Sequence, residues 1–138
     1  MEKRAIDRIR ALADWLVEKK VVKSITQFEN VCGMSPKYIR NLRATEKGNP
    51  GVETIAGIYD VFPSVSLKWL VTGKGGMFPP SKNEDELVEK MRLDIIAREV
   101  LALTTDKNNI RDALELTLKH HKDDLTAEEK IALLERLL

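Results

Sequence analysis

The chain has few of the features that mark secreted or membrane proteins. Among its 138 residues there is one cysteine, Cys32, so no internal disulfide can form. The longest apolar runs, such as residues 131–134, are only a few residues, far short of the roughly 20 that a helix needs to span a bilayer. The amino-terminal segment is charged and lacks the apolar run and cleavage site of a secretory signal. These absences favour a cytoplasmic protein.

Motifs that carry chemistry are also scarce. Gly73-Lys74 lacks the upstream glycine and the following Ser or Thr of a phosphate-binding loop, which argues against a kinase or ATPase. No Ser-His-Asp or paired-carboxylate arrangement stands out. His120-His121 with Asp123 and Asp124 offers ligand-type side chains, but adjacent helical residues point about 100° apart, whereas metal pairs prefer spacings of three or four. We therefore expect no enzyme, no metal site and no cofactor.

What the chain does contain is enough apolar side chain for a core. Hydrophobic residues make up 43% of it and charged residues 33%, which favours one folded domain, or two small ones, over disorder. The net charge of +1 is the sum of two halves of the chain with opposite charge. Residues 1–75 hold 13 Lys and Arg against 8 Asp and Glu, a balance of +5, whereas residues 76–138 hold 10 against 14, a balance of −4. The two halves are therefore expected to meet different partners.

A segment rich in glycine and proline, residues 73–83, separates these halves. We predict an amino-terminal domain over residues 1–78, a linker over 79–84 and a helical carboxy-terminal region over 85–138. Apolar residues recur at three- and four-residue intervals in both halves, which predicts an all-α fold.

Capping residues set the predicted helix boundaries. Five helices are expected in the first half: about residues 5–20, 24–32, 35–44, one opening at Pro50 and ending before Pro63, and 67–72 after Ser66. Ser35 would cap the third helix. The buried side of the fourth would consist of Val52, Ile55, Ala56 and Tyr59. Residues 64–71 also alternate as a strand would, but the Ser66 cap favours a helix. Three more helices are expected in the second half, beginning near Asn83, Asn108 or Asn109, and Thr126.

Residues 24–44 have the spacing of two helices joined by a tight turn. The apolar positions are Phe28, Cys32, Met34, Ile39 and Leu42, with Gly33 in the turn. Two steeply crossing helices touch only at such positions, and the turn favours a residue that tolerates positive φ. The pattern is typical of a DNA-reading helix-turn-helix, and it also fits an αα-corner within a core.

The same region resembles the helix-turn-helix regulators of the lambda-repressor and Cro type, particularly phage-like repressors of Bacteroidetes. The resemblance is carried by Phe28-Glu29, Gly33-Met34-Ser35 and Tyr38-Ile39, and by the block from Phe62-Pro63 to Met77. That block is similar to the Trp-Leu-x-x-Gly-x-Gly-x-Met ending of the family's five-helix domain. The likeness covers residues 1 to about 78.

The chain departs from the family pattern in two ways. Glu29 stands where most members keep a small residue, usually Ala, which predicts a slightly different crossing of the two helices. Many members also carry a self-cleaving peptidase domain with a Ser and Lys pair. The present tail is short, is predicted to be helical and has no serine after residue 81, so autoproteolysis is not implied.

The resemblance implies that helix 35–44 is a recognition helix that enters the major groove. Arg40 and Asn41 are the candidates for base readout, since a guanidinium matches guanine O6 and N7 and a carboxamide matches adenine N6 and N7. The candidates for backbone or flanking contacts are Lys23, Ser24, Ser35, Lys37 and Arg43. Lys19, Lys20 and Lys47 would add long-range attraction, or only solubility.

The sequence thus predicts a sequence-specific DNA-binding transcriptional regulator, a phage-type repressor located at the nucleoid. One recognition helix contacts few base pairs, so a homodimer is expected, held together by residues 85–138. The partners would be double-stranded DNA and a second copy, with a further protein partner for residues 85–138 left open. The alternative is an antitoxin-like or adaptor interaction module with weak or no DNA binding.

Overall fold

The computed structural model describes residues 4–46, 48–80, 83–103, 109–121 and 125–137. Their regular structure is α-helical and no strand occurs among them, which confirms the predicted all-α class. The helices in these residues are α1 (Ala5–Glu18), α2 (Ile25–Val31), α3 (Tyr38–Arg43), α4 (Val52–Val61), α5 (Leu67–Thr72), α6 (Glu84–Leu103), α7 (Ile110–His120) and α8 (Ala127–Leu137). No helix in the described ranges has the length and apolarity to cross a membrane.

The chain divides into two compact units, Met1–Val88 and Glu89–Leu138, so the division falls within α6. The predicted linker, 79–84, lies upstream of this point, and its residues 81 and 82 are outside the described part. Asn83 caps α6 as predicted, because its Oδ1 accepts a hydrogen bond from the Asp85 amide at 2.9 Å.

In the first unit, α1 is the central helix. It contacts α2, α3 and α5. Its apolar stripe is fully buried and consists of Ile6, Ile9, Leu12, Ala13 and Leu16. Arg8, on the same helix, donates from Nε to the Leu70 carbonyl at 3.0 Å and from Nη2 to the Val71 carbonyl at 2.9 Å. Because the last carbonyls of a helix have no partner within it, this guanidinium stabilises the end of α5.

The α5 segment confirms the helical prediction over the strand-like alternation. Ser66 Oγ accepts a hydrogen bond from the Trp69 amide at 3.2 Å, and Gly73 ends the helix with φ of 78°. Positive φ is readily available to glycine, which explains why the helix stops there.

The buried face of α4 differs from the prediction. Of the four residues predicted to face the core, Val52 and Tyr59 are 85% and 45% exposed, Ala56 is also exposed and Ile55 is half-buried. Ile58, in contrast, is fully buried. The stripe is displaced because it runs through Gly57, where an added Cβ would collide with the Cys32 carbonyl oxygen. The backbones of α4 and of the end of α2 approach so closely that only glycine fits, and glycine carries no signal in a hydrophobic pattern.

The second unit has its own apolar core. Its buried members are Leu93, Ile96, Ala97, Val100, Ala113, Leu114, Leu125 and Leu133. The predicted capping box at the start of α8 is present, since Thr126 Oγ1 accepts from the Glu129 amide at 3.1 Å and Glu129 Oε1 accepts from the Thr126 amide at 3.2 Å. α7 begins after Asn109, while Asn108 lies outside the described residues.

Ion pairs join α6 to the later helices of this unit. Arg92 Nη1 lies 3.4 Å from the buried Glu129 Oε2, and Arg136 Nη1 lies 2.5 Å from Asp94 Oδ1. His121, which is buried, places Nε2 at 2.9 Å from Glu99 Oε2. His121 therefore has a structural partner, and Asp123 and Asp124, the other members of the ligand-type cluster, are not among the described residues.

Candidate nucleic-acid interface

The predicted recognition helix begins later than its sequence signals indicated. α3 starts at Tyr38 rather than at Ser35, so the prediction of a helix over 35–44 capped by the Ser35 hydroxyl is wrong at its amino-terminal end. Lys37 occupies the N-cap position with φ of 64° and ψ of 14°. This left-handed conformation cannot continue into a right-handed helix, so residues 35–37 form a turn that leads into α3.

The cause of this late start is Glu29, in the preceding helix. Its side chain is buried, at 3% exposure. Oε1 accepts from the Lys37 amide at 3.3 Å and Oε2 accepts from the Ile39 amide at 2.9 Å. The Glu29 main-chain oxygen also accepts from the Met34 amide at 2.8 Å. A carboxylate from α2 therefore performs the capping that the pattern had assigned to Ser35.

Sequence reasoning missed this role of Glu29, although a signal exists. Glu29 lies between the buried positions Phe28 and Cys32, where a carboxylate is costly unless it is hydrogen-bonded. A charged residue inside an apolar stripe indicates a nearby set of donors, and the free amides of a helix start are one such set.

The outer side of this turn and helix is exposed as predicted. The exposed residues are Ser35, Pro36, Lys37, Arg40, Asn41 and Arg43. Within the described parts of the chain, the side chains of Arg40 and Asn41 make no hydrogen bond or ion pair. The Asn41 amide donates to the Lys37 carbonyl at 2.9 Å, so the exposed residues Lys37, Arg40 and Asn41 lie within one turn of backbone.

The opposite side of α3 packs against the rest of the first unit. Ile39 is fully buried. Tyr38 is half-buried, and its hydroxyl accepts from Thr54 Oγ1 of α4 at 3.2 Å. The helix therefore presents its polar side outward because its apolar side is taken up by the core.

The carboxy-terminal end of α3 is fixed by a guanidinium from the start of the chain. Arg4 donates from Nη1 to the Thr45 carbonyl at 2.7 Å and from Nη2 to the carbonyls of Leu42, at 3.5 Å, and Gly48. Sequence analysis did not identify Arg4, because its partners lie about forty residues further along the chain. The helix is thus held at one end by Glu29 and at the other by Arg4.

The remaining residues predicted to contact DNA differ in whether their side chains already bind other groups of the protein. Arg43 places Nε at 3.2 Å from Asp7 Oδ1, in a pair that is partly exposed. Lys23 and Ser24 are exposed at the start of α2, where Ser24 Oγ accepts from the Gln27 amide at 3.1 Å. The Ser24 hydroxyl proton remains available to a ligand. Lys47 lies outside the described residues.

The exposed face is rich in hydrogen-bond donors. It offers a guanidinium fork, a carboxamide, an ammonium group and a hydroxyl, which are donors for base edges and phosphate oxygens. The described residues contain no group of three or more His, Cys, Asp or Glu that could hold a metal ion. A scan of protein-family models and searches of curated proteins and solved structures find nothing that matches the chain.

Proposed function

We propose that the chain is a sequence-specific DNA-binding transcriptional regulator, a repressor of the phage type. In this proposal α1–α5 form a five-helix domain of the lambda-repressor and Cro type, with α2, the turn and α3 as its helix-turn-helix. The observation that carries the proposal is the pair Arg40 and Asn41, both exposed on a helix whose two ends are held by Glu29 and Arg4.

The side chains match the two tasks of a DNA reader. Arg40 would donate to O6 and N7 of guanine and Asn41 would pair with N6 and N7 of adenine, each giving about 1–3 kcal/mol of discrimination between bases. Ser35, Lys37 and Arg43, with Lys23 and Ser24 on α2, would contact phosphates, which fix the register without reading sequence.

The second unit is the proposed dimerisation region. It exposes large apolar side chains at Leu101, Leu103, Leu116, Ile131 and Leu134, with exposures between 37% and 58%. Its acidic balance disfavours contact with DNA and leaves it available to a second copy. Two copies would read half-sites about 34 Å apart on one side of the duplex, and the repressor would act at the nucleoid.

Selection of duplexes from a random-sequence pool tests the proposal. The wild-type protein should enrich a symmetric site, and the Arg40→Ala/Asn41→Ala double variant should lose that preference while it still binds DNA weakly. Lys68→Ala, an exposed residue of α5, removes the same charge and should leave the selected site unchanged. Enrichment of the same site by the double variant would contradict the readout assignment, and the absence of any wild-type enrichment would contradict the function.

The exposed apolar side chains of the second unit also favour a second candidate, an adaptor or antitoxin-like module that binds another protein. A salt titration separates the two candidates. A DNA reader with several phosphate contacts loses affinity steeply as ionic strength rises, because bound counterions are released on binding. Failure to bind any duplex at low ionic strength would favour the adaptor.

A further inference from the structure

The buried Glu29 carboxylate occupies a junction between two helices, and no structural need of α2 itself explains it. α2 is capped at its start by Ser24. Both Glu29 side-chain oxygens instead accept from amides of the next segment, one at Lys37 in the turn and one at Ile39 in α3. The backbone is left-handed at Lys37 and right-handed from Tyr38 onward. One of the two bonds is made before this change and the other after it.

α3 depends on such external bonds because it is too short to hold itself. It has six residues, fewer than the 12 or so at which isolated helices become even marginally stable in water. Ile39 is its one fully buried side chain, with Tyr38 and Leu42 partly buried, so apolar packing alone leaves the helix some rotational freedom about that contact. Two bonds from one carboxylate to amides two residues apart remove that freedom at the end nearest Lys37.

We propose that Glu29 is a positioning residue for DNA readout: it fixes the direction in which α3 presents Arg40 and Asn41 to the duplex. This inference rests on the proposed function and adds a determinant of specificity that touches no base. The inference requires that loss of the carboxylate reduces the ratio of affinities for specific and non-specific duplexes. The affinity for non-specific DNA should change less.

The substitution Glu29→Gln isolates this role because it keeps the shape of the side chain. A carboxylate offers two acceptor oxygens, whereas an amide offers one oxygen and one NH₂ donor. The oxygen is expected to keep the shorter, buried bond to Ile39, which leaves the NH₂ group facing the Lys37 amide. The turn is then released on one side while α2, its cap and the core are unchanged.

Glu46→Gln is the matched control. Glu46 is an exposed carboxylate just beyond α3, so its loss changes the charge of the same region by the same amount without touching the turn. Removing a negative charge near DNA favours binding to all duplexes. A loss of specific affinity in Glu29→Gln alone therefore cannot come from charge.

The experiment combines equilibrium binding with amide hydrogen exchange on the full chain. For Glu29→Gln, the ratio of affinities for the selected and a scrambled duplex should fall about tenfold or more, while affinity for the scrambled duplex stays within about twofold. Exchange at the Lys37 amide should accelerate about tenfold or more. Glu46→Gln should match wild type in the ratio of affinities and in exchange at the Lys37 amide. A Glu29→Gln protein that is folded and keeps the wild-type ratio would overturn the inference.

Two further outcomes are distinguishable. If the wild-type protein shows no sequence preference, the proposed function fails, whatever Glu29 does. If Glu29→Gln does not fold, Glu29→Ala takes its place, because alanine sets no donor against the Lys37 amide and leaves room for water. If neither variant folds while Glu46→Gln does, Glu29 is required for folding and the positioning role is contradicted.

Discussion

Arg43 of α3 and Asp7 of α1 form a partly exposed ion pair, with 3.2 Å between Nε and Oδ1. Asp7 Oδ2 also accepts from the Arg4 amide at 3.2 Å, at the start of α1. One carboxylate therefore holds a residue that caps α3 and a residue proposed to contact phosphate. Any phosphate that binds Arg43 competes with Asp7 for the guanidinium.

Asp7→Asn should accordingly strengthen binding to every duplex alike. The amide oxygen can keep the bond to the Arg4 amide, while the NH₂ group releases Arg43, and one negative charge is lost. Affinity for selected and scrambled duplexes at low salt should rise about two- to tenfold, with a loss of stability under about 1 kcal/mol because the pair is partly exposed. Fluorescence anisotropy measures both affinities. Asp14→Asn, which disrupts the Arg10–Asp14 pair on α1, is the control; an altered sequence preference in Asp7→Asn would contradict this account.

Two lysines adopt left-handed backbone conformations, and glycine substitution separates their conformation from their charge. Lys37 has φ of 64° and Lys20 has φ of 61°. Glycine adopts this region without steric cost but is more flexible when unfolded, so each variant should gain between zero and about 1 kcal/mol in the free energy of unfolding. Lys37→Gly alone should weaken all duplexes and reduce the salt slope by about one. An equal loss of DNA affinity in Lys20→Gly would show that Lys37 has no specific phosphate contact.

Gly57 is predicted to resist even the smallest side chain. In Gly57→Ala the new Cβ would collide with the Cys32 carbonyl oxygen, so we expect a loss of about 1–3 kcal/mol in spite of alanine's better helix propensity. Gly51→Ala, where a Cβ meets nothing within 4 Å, should cost under about 1 kcal/mol. Urea unfolding followed by tryptophan fluorescence reports the first unit, since both tryptophans, Trp15 and Trp69, lie in it. Equal stability of the two variants would disprove the close approach.

In the second unit, two neighbouring apolar residues should separate folding from association. Leu133 is fully buried, so Leu133→Ala should cost about 2–5 kcal/mol of stability. Ile131 is 55% exposed, so Ile131→Ala should change stability by no more than about 0.5 kcal/mol but weaken the proposed dimer about tenfold. Urea unfolding by circular dichroism and sedimentation equilibrium measure the two effects. A wild-type monomer at micromolar concentration would contradict the dimer.

Local signals predicted most of the helices, because the groups that decide them lie within a few residues. Ser24 and Ser66 each cap a helix with an amide three residues ahead, and Gly73 ends α5 where predicted. The predicted exposure of Arg40 and Asn41 is also observed, although their contact with DNA stays a prediction.

The features that the sequence did not predict depend on distant partners. The start of α3 is set by Glu29, eight to ten residues earlier, and its end by Arg4, about forty residues earlier. The buried face of α4 is set by the approach of Gly57 to Cys32. Neither hydrophobic periodicity nor capping rules contain such relationships, since both describe only a residue's near neighbours.

The left-handed turn at Lys37 also limits how this protein can be engineered toward new target sites. A side chain at position 37 must tolerate positive φ, which most residues do poorly and β-branched residues worst. Retargeting libraries should therefore randomise positions 40 and 41, hold 29 and 39 constant, and offer only lysine, asparagine or glycine at 37. In libraries that diversify the whole segment, the turn would be destabilised in most members.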